Sequence, residues 1–192
     1  MKVIGLDLAG VESRPTGFCL LDNLMAEPSL VYADADILLK TTQANPRVVA
    51  IDAPLSLPKG RKSIEDRTDV HLRECDIELA KHGIKFFPIT LGPMRKLTER
   101  GMKLKAKLEL KGFSTIEVYP GGAQDVLRIP RRQHGIHSLR KGLESLGING
   151  LTDGLSDHEL DAVTCAYVGK LFLDGGACVY GTQEQAIIMP YG

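Results

Sequence analysis

Tryptophan is absent from this chain of 192 residues, and phenylalanine and tyrosine contribute only five residues each. Such a shortage of aromatic rings weakens the case for a protein that binds single strands by stacking successive bases. Excess charge of one sign is missing as well, because 24 Lys and Arg residues balance 24 Asp and Glu residues. Any affinity for nucleic acid or for a membrane surface must therefore come from a local basic patch rather than from the net charge.

Long hydrophobic runs and paired cysteine motifs are also lacking. The longest apolar stretch, at 162–173, is interrupted by Lys170 and is shorter than the roughly 20 residues of a membrane-spanning helix. The N-terminus does not have the charged region, apolar core and cleavage site of a signal peptide. None of the four cysteines has Cys-x-x-Cys spacing, which disfavours a zinc site or a redox dithiol. We expect a cytoplasmic protein that does not associate with membranes.

The order of the strand and helix patterns predicts an α/β fold with a mixed sheet. Apolar segments predict strands at 2–10, 18–22, 29–36, 47–52 and 115–122, with a short final strand at 186–190. Helical spacing predicts helices at 69–82, 94–111, 136–146 and 156–173, and short helices near 38–39 and at 123–127. Because three strands come first, the sheet begins with a meander rather than with alternating strand–helix units. We predict a single domain over 1–192, with a helical insertion over 59–113 between strands four and five.

The first strand carries the most informative residue, Asp7. It lies in the segment KVIGLDLAG at 2–10, in which valine, isoleucine and leucine make a nearly continuous apolar run. Such a run is typical of a strand covered on both faces, where a carboxylate is costly to bury unless a cation, a metal ion or backbone donors accompany it. Asp7 could therefore be a metal ligand, or a structural carboxylate that caps a helix or meets an arginine.

Four further residues are candidates for the same site. Asp52 ends the fourth predicted strand and Glu117 lies in the fifth, whereas His158 and Asp161 stand three residues apart on the last helix. If the first and fourth strands are parallel neighbours, Asp7 and Asp52 meet at the edge where open α/β sheets bind ligands. Two unit charges about 4 Å apart repel by roughly 4 kcal/mol at an effective dielectric of 20, so such a cluster favours a divalent cation. Oxygen ligands select Mg²⁺ or Mn²⁺, and two such ions could clamp the attacking and leaving oxygens of a phosphodiester.

The candidate residues also have structural interpretations. Asp52 could hydrogen-bond the turn that follows it, since aspartate commonly does so. Glu117 could pair with Arg73 or Arg128 rather than with a metal. His158 could be a satisfied surface histidine. The distances between the side chains decide between the two interpretations.

Two basic stretches could contact phosphate groups. For the first, at 95–111, a solvated helix face is the simpler explanation. The second, RIPRRQHGIHSLRK at 128–141, contains five Lys and Arg residues and no acid. Lysine and arginine supply affinity for phosphate without sequence preference. The predicted nucleic-acid-binding residues belong to this second stretch: Arg128, Arg131, Arg132, Arg140 and Lys141.

Several short motifs together resemble a known family. They are GLDLAG with a following TGF, AIDAPLSLP, RECDIEL, EVYPGGA and HELDAVTCAYVG, spread over nearly the whole chain. In this combination the sequence resembles the DUF429 family of predicted nucleases, which implies a ribonuclease-H-like fold. More remotely, Asp7 and the His158-xx-Asp161 pattern are similar to bacterial Holliday-junction resolvases, in which acidic residues on strand one, strand four and the last helix bind the metals. That similarity implies Asp7, Asp52 and Asp161 as metal ligands and His158 as a further ligand or proton carrier, with Asp52 standing where the resolvases have glutamate.

We therefore expect a metal-dependent nuclease or related phosphodiesterase that acts on DNA or RNA with Mg²⁺ or Mn²⁺. One alternative is a nucleotide phosphotransferase of the actin and sugar-kinase type, but such enzymes need two copies of this fold, and no G-x-x-x-x-G-K-[ST] loop is present. The other alternative is a non-catalytic nucleic-acid-binding module of the same fold. The sequence leaves the oligomeric state open, with a homodimer among the options.

Overall fold

The structure, a computed structural model, describes residues 1–182 and 184–192 and contains a five-stranded mixed sheet. The strands are β1 (Lys2–Asp7), β2 (Thr16–Asp22), β3 (Met25–Val31), β4 (Val48–Asp52) and β5 (Thr115–Glu117). Their spatial order is β3-β2-β1-β4-β5. β2 is antiparallel to both β1 and β3, whereas β4 is parallel to β1 and β5 is parallel to β4. The α/β class, the mixed sheet and the opening meander are as predicted.

Six α-helices accompany the sheet in the described part of the chain. They are α1 (Asp34–Ala44), α2 (Glu74–Lys81), α3 (Gly92–Leu110), α4 (Pro120–Val126), α5 (Ile136–Ser145) and α6 (Asp157–Leu173). A short 3-10 helix, Arg132–His134, precedes α5, and strands β6 (Ala177–Tyr180) and β7 (Ile187–Pro190) form an antiparallel pair after α6. α2 and α3 lie between β4 and β5, where the sequence predicts helices. Among the described residues, none of the helices combines the length and the apolar character that crossing a membrane requires.

The apolar run of β1 is covered on both faces of the sheet, as the sequence indicates. Val3 belongs to a buried cluster that includes Leu160 of α6. Ile4, which points the other way, belongs to a second cluster that includes Leu104 of α3. All four side chains are fully buried, and each contributes about 1.5–3 kcal/mol relative to an exposed position. β1 is thus anchored on both sides, and Asp7 at its end is held at the rim of the core.

α6 lies directly on β1 and β2 because each strand has a glycine where the helix crosses it. A Cβ atom at Gly5 would stand 2.0 Å from the carbonyl oxygen of Ala162. A Cβ atom at Gly17, the register partner of Asp7, would stand 1.9 Å from the carbonyl oxygen of His158. The two glycines therefore allow the first turns of the helix to lie over the carboxyl end of β1.

The start of α6 is where the sequence places it. Ser156 accepts a hydrogen bond from the backbone of Glu159, and the Glu159 carboxylate accepts one from the backbone of Ser156. This capping box satisfies backbone N–H groups that the helix leaves free. Because the start of the helix is fixed, so are the positions from which His158 and Asp161 leave its axis.

Several predicted boundaries differ from the structure, among them those of the third strand, the fifth strand and the helix at 69–82. The third strand was predicted at 29–36, but β3 starts earlier and includes Pro28, which is tolerated because β3 is an edge strand. The fifth strand was predicted at 115–122, but β5 is shorter because Pro120 begins α4, where a missing N–H costs nothing. The helix predicted at 69–82 begins only with α2, after an irregular segment. The pair β6–β7 includes a strand, β6, for which the sequence gives no clear signal.

Candidate active site

Two of the predicted ligands stand side by side at one edge of the sheet. Asp7 is the last residue of β1, Asp52 is the last residue of β4, and the two are register partners in the parallel pairing. Adjacent strands lie about 4.8 Å apart, and residues in register point to the same face. Both aspartates line one cavity of about 980 Å³ at the carboxyl ends of these strands. This is the position in which open α/β sheets bind ligands.

The first turns of α6 bring two further predicted residues to the same cavity. His158 Nδ1 lies 2.6 Å from Asp7 Oδ2, and the Asp7 side chain is only 16% exposed. Asp161 lines the cavity one helical turn later. The structure therefore brings Asp7, Asp52, His158 and Asp161 together around one space, which we call the acidic cavity.

A glutamine that the sequence did not point to holds Asp161. Gln124 of α4 is 2% exposed, and its Nε2 donates to Asp161 Oδ1 at 2.7 Å and to Thr164 Oγ1 at 3.1 Å. A hydrogen bond donated to a carboxylate favours its ionised form. Sequence reasoning missed Gln124, although a short helix was predicted at 123–127, because an amide carries no charge that would mark a site and because its partner Asp161 lies 37 residues further along the chain.

The acids of the cavity repel one another. Burial raises the pKa of Asp52 well above its usual range, and the negative charges of Asp7 and Asp161 raise it further. Burial, followed by the charge of Asp7, raises the pKa of Asp161 to about 6, against the opposing effect of the Gln124 hydrogen bond. The hydrogen bond with Asp7 raises the pKa of His158. A cavity with this charge distribution gains from an added cation.

The donor atoms of the cavity suit a hard divalent cation. Three carboxylates supply the oxygen ligands that Mg²⁺ and Mn²⁺ prefer, and His158 is an additional nitrogen donor. Among the residues that the structure describes, no three His, Cys, Asp or Glu side chains are arranged as a group that could hold a metal ion. Asp7 is instead hydrogen-bonded to His158, and Asp161 to Gln124. The chemistry of the donors fits a cation, while their present orientations do not enclose one.

Two of the five predicted basic residues, Arg131 and Arg132, line the acidic cavity. Arg131 Nε donates to Asp125 at 2.6 Å, and its guanidinium lies 5.9 Å from the centre of the Tyr119 ring. Arg132 forms a salt bridge with an aspartate at the start of α6. Lys85, from the segment between α2 and α3, is exposed and lines the cavity as well. Three cations therefore surround the acids.

The other three predicted basic residues lie apart from the acids. Arg140 Nη2 is 2.7 Å from Asp153 Oδ1, and Lys141 Nζ is 2.8 Å from Glu144 Oε2. Arg140 lines a separate pocket of about 100 Å³. Arg128 is exposed and, like the other two, does not line the acidic cavity. The predicted basic patch is thus divided by the fold into two groups.

Glu117 is placed differently from the other predicted acids. It is 5% exposed, and its carboxylate accepts hydrogen bonds from Arg73 at 2.7 and 2.8 Å and from the backbone of Leu55 at 2.7 Å. Arg73 also binds Asp76 through its Nε and Nη2. The pairing with Arg73 is therefore the alternative that the structure shows. Glu117 lies outside the acidic cavity, and it shares an adjoining cavity with Asp52.

A solved structure of RuvC from Thermus thermophilus has a similar fold. The two align with a TM-score of 0.55 over 98% of this chain and 100% of that chain, at 13% sequence identity. An identity this low shows likeness of fold alone. The expected ribonuclease-H-like fold is thereby confirmed. No curated protein matches the chain significantly.

The family expected from the sequence motifs is also found. A family model described as "Protein of unknown function (DUF429)" matches residues 5–185. The match covers nearly the whole chain and includes every residue that lines the acidic cavity. The protein therefore belongs to the DUF429 family.

Proposed function

We propose that the protein is a metal-dependent nuclease that hydrolyses phosphodiester bonds in DNA or RNA. The observation that carries the proposal is the convergence of Asp7, Asp52 and Asp161 on one cavity, beside His158. The three acids come from two strand ends and a helix, and the fold itself does not require them to be close together. Their mutual repulsion lowers the stability of the folded protein. The similarity to Holliday-junction resolvases noted in the sequence points to the same chemistry.

In this proposal Asp7, Asp52 and Asp161 hold the cation through their carboxylate oxygens. Mg²⁺ or Mn²⁺, as a pair of ions in the mechanism that we favour, would supply Lewis-acid stabilisation of the attacking and leaving oxygens. Because the pKa values of Asp52 and Asp161 are raised, protons compete with a cation for these carboxylates. Cation binding then displaces protons and strengthens as the pH rises.

His158 is the proton-carrying residue of the proposed site. Its hydrogen bond with Asp7 fixes the orientation of the ring and raises its pKa, which favours the imidazolium over the neutral ring. An imidazolium that lines the cavity can give its proton to the oxygen that leaves phosphorus. Asp7 therefore serves as a ligand and also orients this proton donor.

The cations around the acidic cavity provide the contacts to the nucleic-acid backbone. Arg131, Arg132 and Lys85 all line the cavity, and two of them keep aspartate partners in this structure. Lysine and arginine bind phosphate through charge and without sequence preference. Because three such residues line the cavity in the described part of the chain, this surface positions a substrate rather than binding it very tightly.

Cleavage assays test the proposal directly. Labelled single strands, duplexes and four-way junctions of DNA, and the matching RNAs, are incubated with Mg²⁺ or Mn²⁺. The wild type should cleave at least one of them, and Asp7→Asn should reduce that rate by about 100-fold or more. Asp69→Asn is the matched control, because Asp69 is exposed and lies outside the acidic cavity. Equal rates in the wild type and Asp7→Asn, or no cleavage of any substrate, contradict the proposal.

One observation favours a second candidate, a nucleic-acid-binding module that does not catalyse. The side chains of the described residues do not form a ready-made metal group. A non-catalytic module would bind the same nucleic acids equally well with and without divalent cations, and would not cleave them. The cleavage assay, combined with a binding measurement in the presence of a chelator, separates the two candidates.

A further inference from the structure

A second, smaller cavity opens beside the acidic cavity. Its volume is about 180 Å³, and it shares four wall residues with its larger neighbour: Asp52, Phe86, Phe87 and Tyr119. A molecule whose phosphate lies at the acids could therefore extend a neighbouring group into it. We call this smaller space the side pocket.

The side pocket is mostly apolar. Its lining includes aliphatic and thioether side chains from the segments that follow β4 and β5 and from α2, α3 and β7, in addition to the aromatic rings it shares with the acidic cavity. The larger of these side chains are Pro54, Leu79, Met94, Leu97, Val118 and Ile187. Apolar and aromatic walls of this kind favour a flat, weakly hydrated group.

Three of the polar residues at the side pocket, Arg73, Asp76 and Glu117, are satisfied by one another. Arg73 donates to both Glu117 and Asp76, and these three side chains are at most 5% exposed. Asp76 accepts, in addition, the backbone N–H of Arg73. These ion pairs therefore shape the pocket without offering the carboxylates of Asp76 and Glu117 to an occupant, and Asp52 lies at the boundary with the acidic cavity. Away from that boundary, selection depends on shape and stacking rather than on hydrogen bonds.

One aromatic ring in the wall of the side pocket is unusually exposed to solvent for a phenylalanine. Phe87 is 69% exposed, although it lines both cavities. A large aromatic ring left in water at the junction of two cavities gains free energy when a flat partner covers it. Phe86 and Tyr119 supply two more rings at the same junction.

We infer that the side pocket binds an unpaired nucleobase next to the phosphate that lies in the acidic cavity. The inference rests on the proposed function, because the proposed function is what places a phosphate in the acidic cavity. Among the groups that adjoin a phosphodiester, only the base is flat and aromatic, whereas the sugar is polar and hydroxylated or solvated. A base can enter the pocket only after it has left its pair and its stack. The substrate class is therefore nucleic acid with an unpaired nucleotide at the cleavage position, read by stacking and not by sequence.

Binding of normal and abasic strands tests the inference without requiring cleavage. The probes are a fluorescein-labelled 12-nucleotide DNA and the same backbone with an abasic residue at every position, measured by anisotropy in the Asp7→Asn background. Phosphate contacts are the same in both probes, so the ratio of their affinities isolates the contribution of the bases. We expect the strand with bases to bind about tenfold more tightly, the effect of stacking one base.

Two pocket variants and one matched control complete the test. Met94→Phe fills the side pocket, and Phe87→Ala removes its exposed aromatic wall. Each variant should reduce the affinity ratio of the two probes to about twofold or less. Each should bind the abasic strand as tightly as the parent does. Leu91→Ala removes an apolar side chain that is 45% exposed on the same segment but lies outside both cavities, and it should keep the ratio of the parent. Because Phe87 is exposed, its variant stays folded even if Met94→Phe does not.

The outcomes distinguish failure of this inference from failure of the proposed function. Equal affinity for both probes, or a ratio that survives in Phe87→Ala and Met94→Phe, overturns the side pocket as a base-binding site, even if the wild type cleaves nucleic acid in an Asp7-dependent way. Failure to bind either probe overturns the inference together with the nucleic-acid function.

Discussion

At the scale of single residues, the buried acids of this protein are of two kinds. Glu117 lies against the guanidinium of Arg73 and is neutralised by it. Among the residues that the structure describes, Asp52 and Asp161 form no such salt bridge, and their pKa values are raised by burial and by neighbouring negative charge. The first kind stabilises the fold, whereas the second costs stability and is explained by a function. The difference was not visible in the sequence, where all three border apolar segments.

The raised pKa of Asp161 predicts how the stability of the metal-free protein depends on pH. The pKa is about 6 in the folded state, above the ordinary value that applies in the unfolded chain, so the folded protein holds the proton more tightly. Its contribution to stability is complete below the unfolded pKa and is lost as the pH rises through about 6. We expect Asp161→Asn to remove a decline on the order of 2 kcal/mol between pH ~4 and ~7, as measured by urea unfolding in a chelator. If the unfolding free energy of the variant and of the wild type changed with pH in the same way, Asp161 would not titrate as described.

The placement of Glu117 predicts a variant whose stability and activity respond differently. Glu117→Gln removes the charge that faces Arg73 and should lower the free energy of unfolding by about 2–3 kcal/mol. At a temperature where the variant is folded, its cleavage rate should stay within about threefold of the wild type, because Glu117 lies outside the acidic cavity. Urea unfolding and a cleavage assay check the two effects. Unchanged stability with a loss of rate like that of Asp7→Asn would place Glu117 in the reaction.

At the scale of elements, strong local sequence patterns correctly predicted the helices and strands that carry the site. Weak patterns did not predict the boundaries and contacts that depend on tertiary packing. The capping box at Ser156 and the apolar run around Asp7 led to α6 and β1. The start of α4 was missed because Pro120 ends a strand and begins a helix equally well. The contact of Gln124 with Asp161 joins residues far apart in sequence, which local patterns do not reveal. For Glu117 the sequence left a metal, Arg73 and Arg128 open as partners, and the fold selects Arg73.

The close contact between α6 and β2 predicts the effect of adding one methyl group. Gly17→Ala places a Cβ atom 1.9 Å from the His158 carbonyl oxygen, so the helix has to move. We expect a loss of about 2 kcal/mol or more in unfolding free energy, with a loss of cleavage because His158 and Asp161 move with the helix. Gly92→Ala, where a Cβ atom meets nothing within 4 Å, is the control and should be neutral or stabilising by up to about 1 kcal/mol. Equal stability of both variants would mean that α6 does not rest on β2 as described.

At the scale of the whole molecule, balanced net charge conceals a strongly uneven local distribution. The 24 cationic and 24 acidic residues cancel, yet three aspartates meet at one end of the sheet with Arg131, Arg132 and Lys85 around them. The helices between β4 and β5 are tied to the rest of the chain by buried ion pairs, Arg73–Glu117 and Arg100–Asp34. These contacts support the proposal that 1–192 forms one domain and that its helical insertion, at 59–113, forms a wall of the site.

The central claim is tested most directly by calorimetric titration of the metal-free protein with Mn²⁺ at about pH 7.5, where protons compete little with the cation for the carboxylates. If Asp7, Asp52 and Asp161 hold the cation, the wild type and Asp69→Asn bind it equally well. Asp7→Asn and Asp161→Asn then weaken the affinity by about tenfold or more. Equal Mn²⁺ affinity in all four proteins, or no binding in any of them, would contradict a metal site formed by these three aspartates.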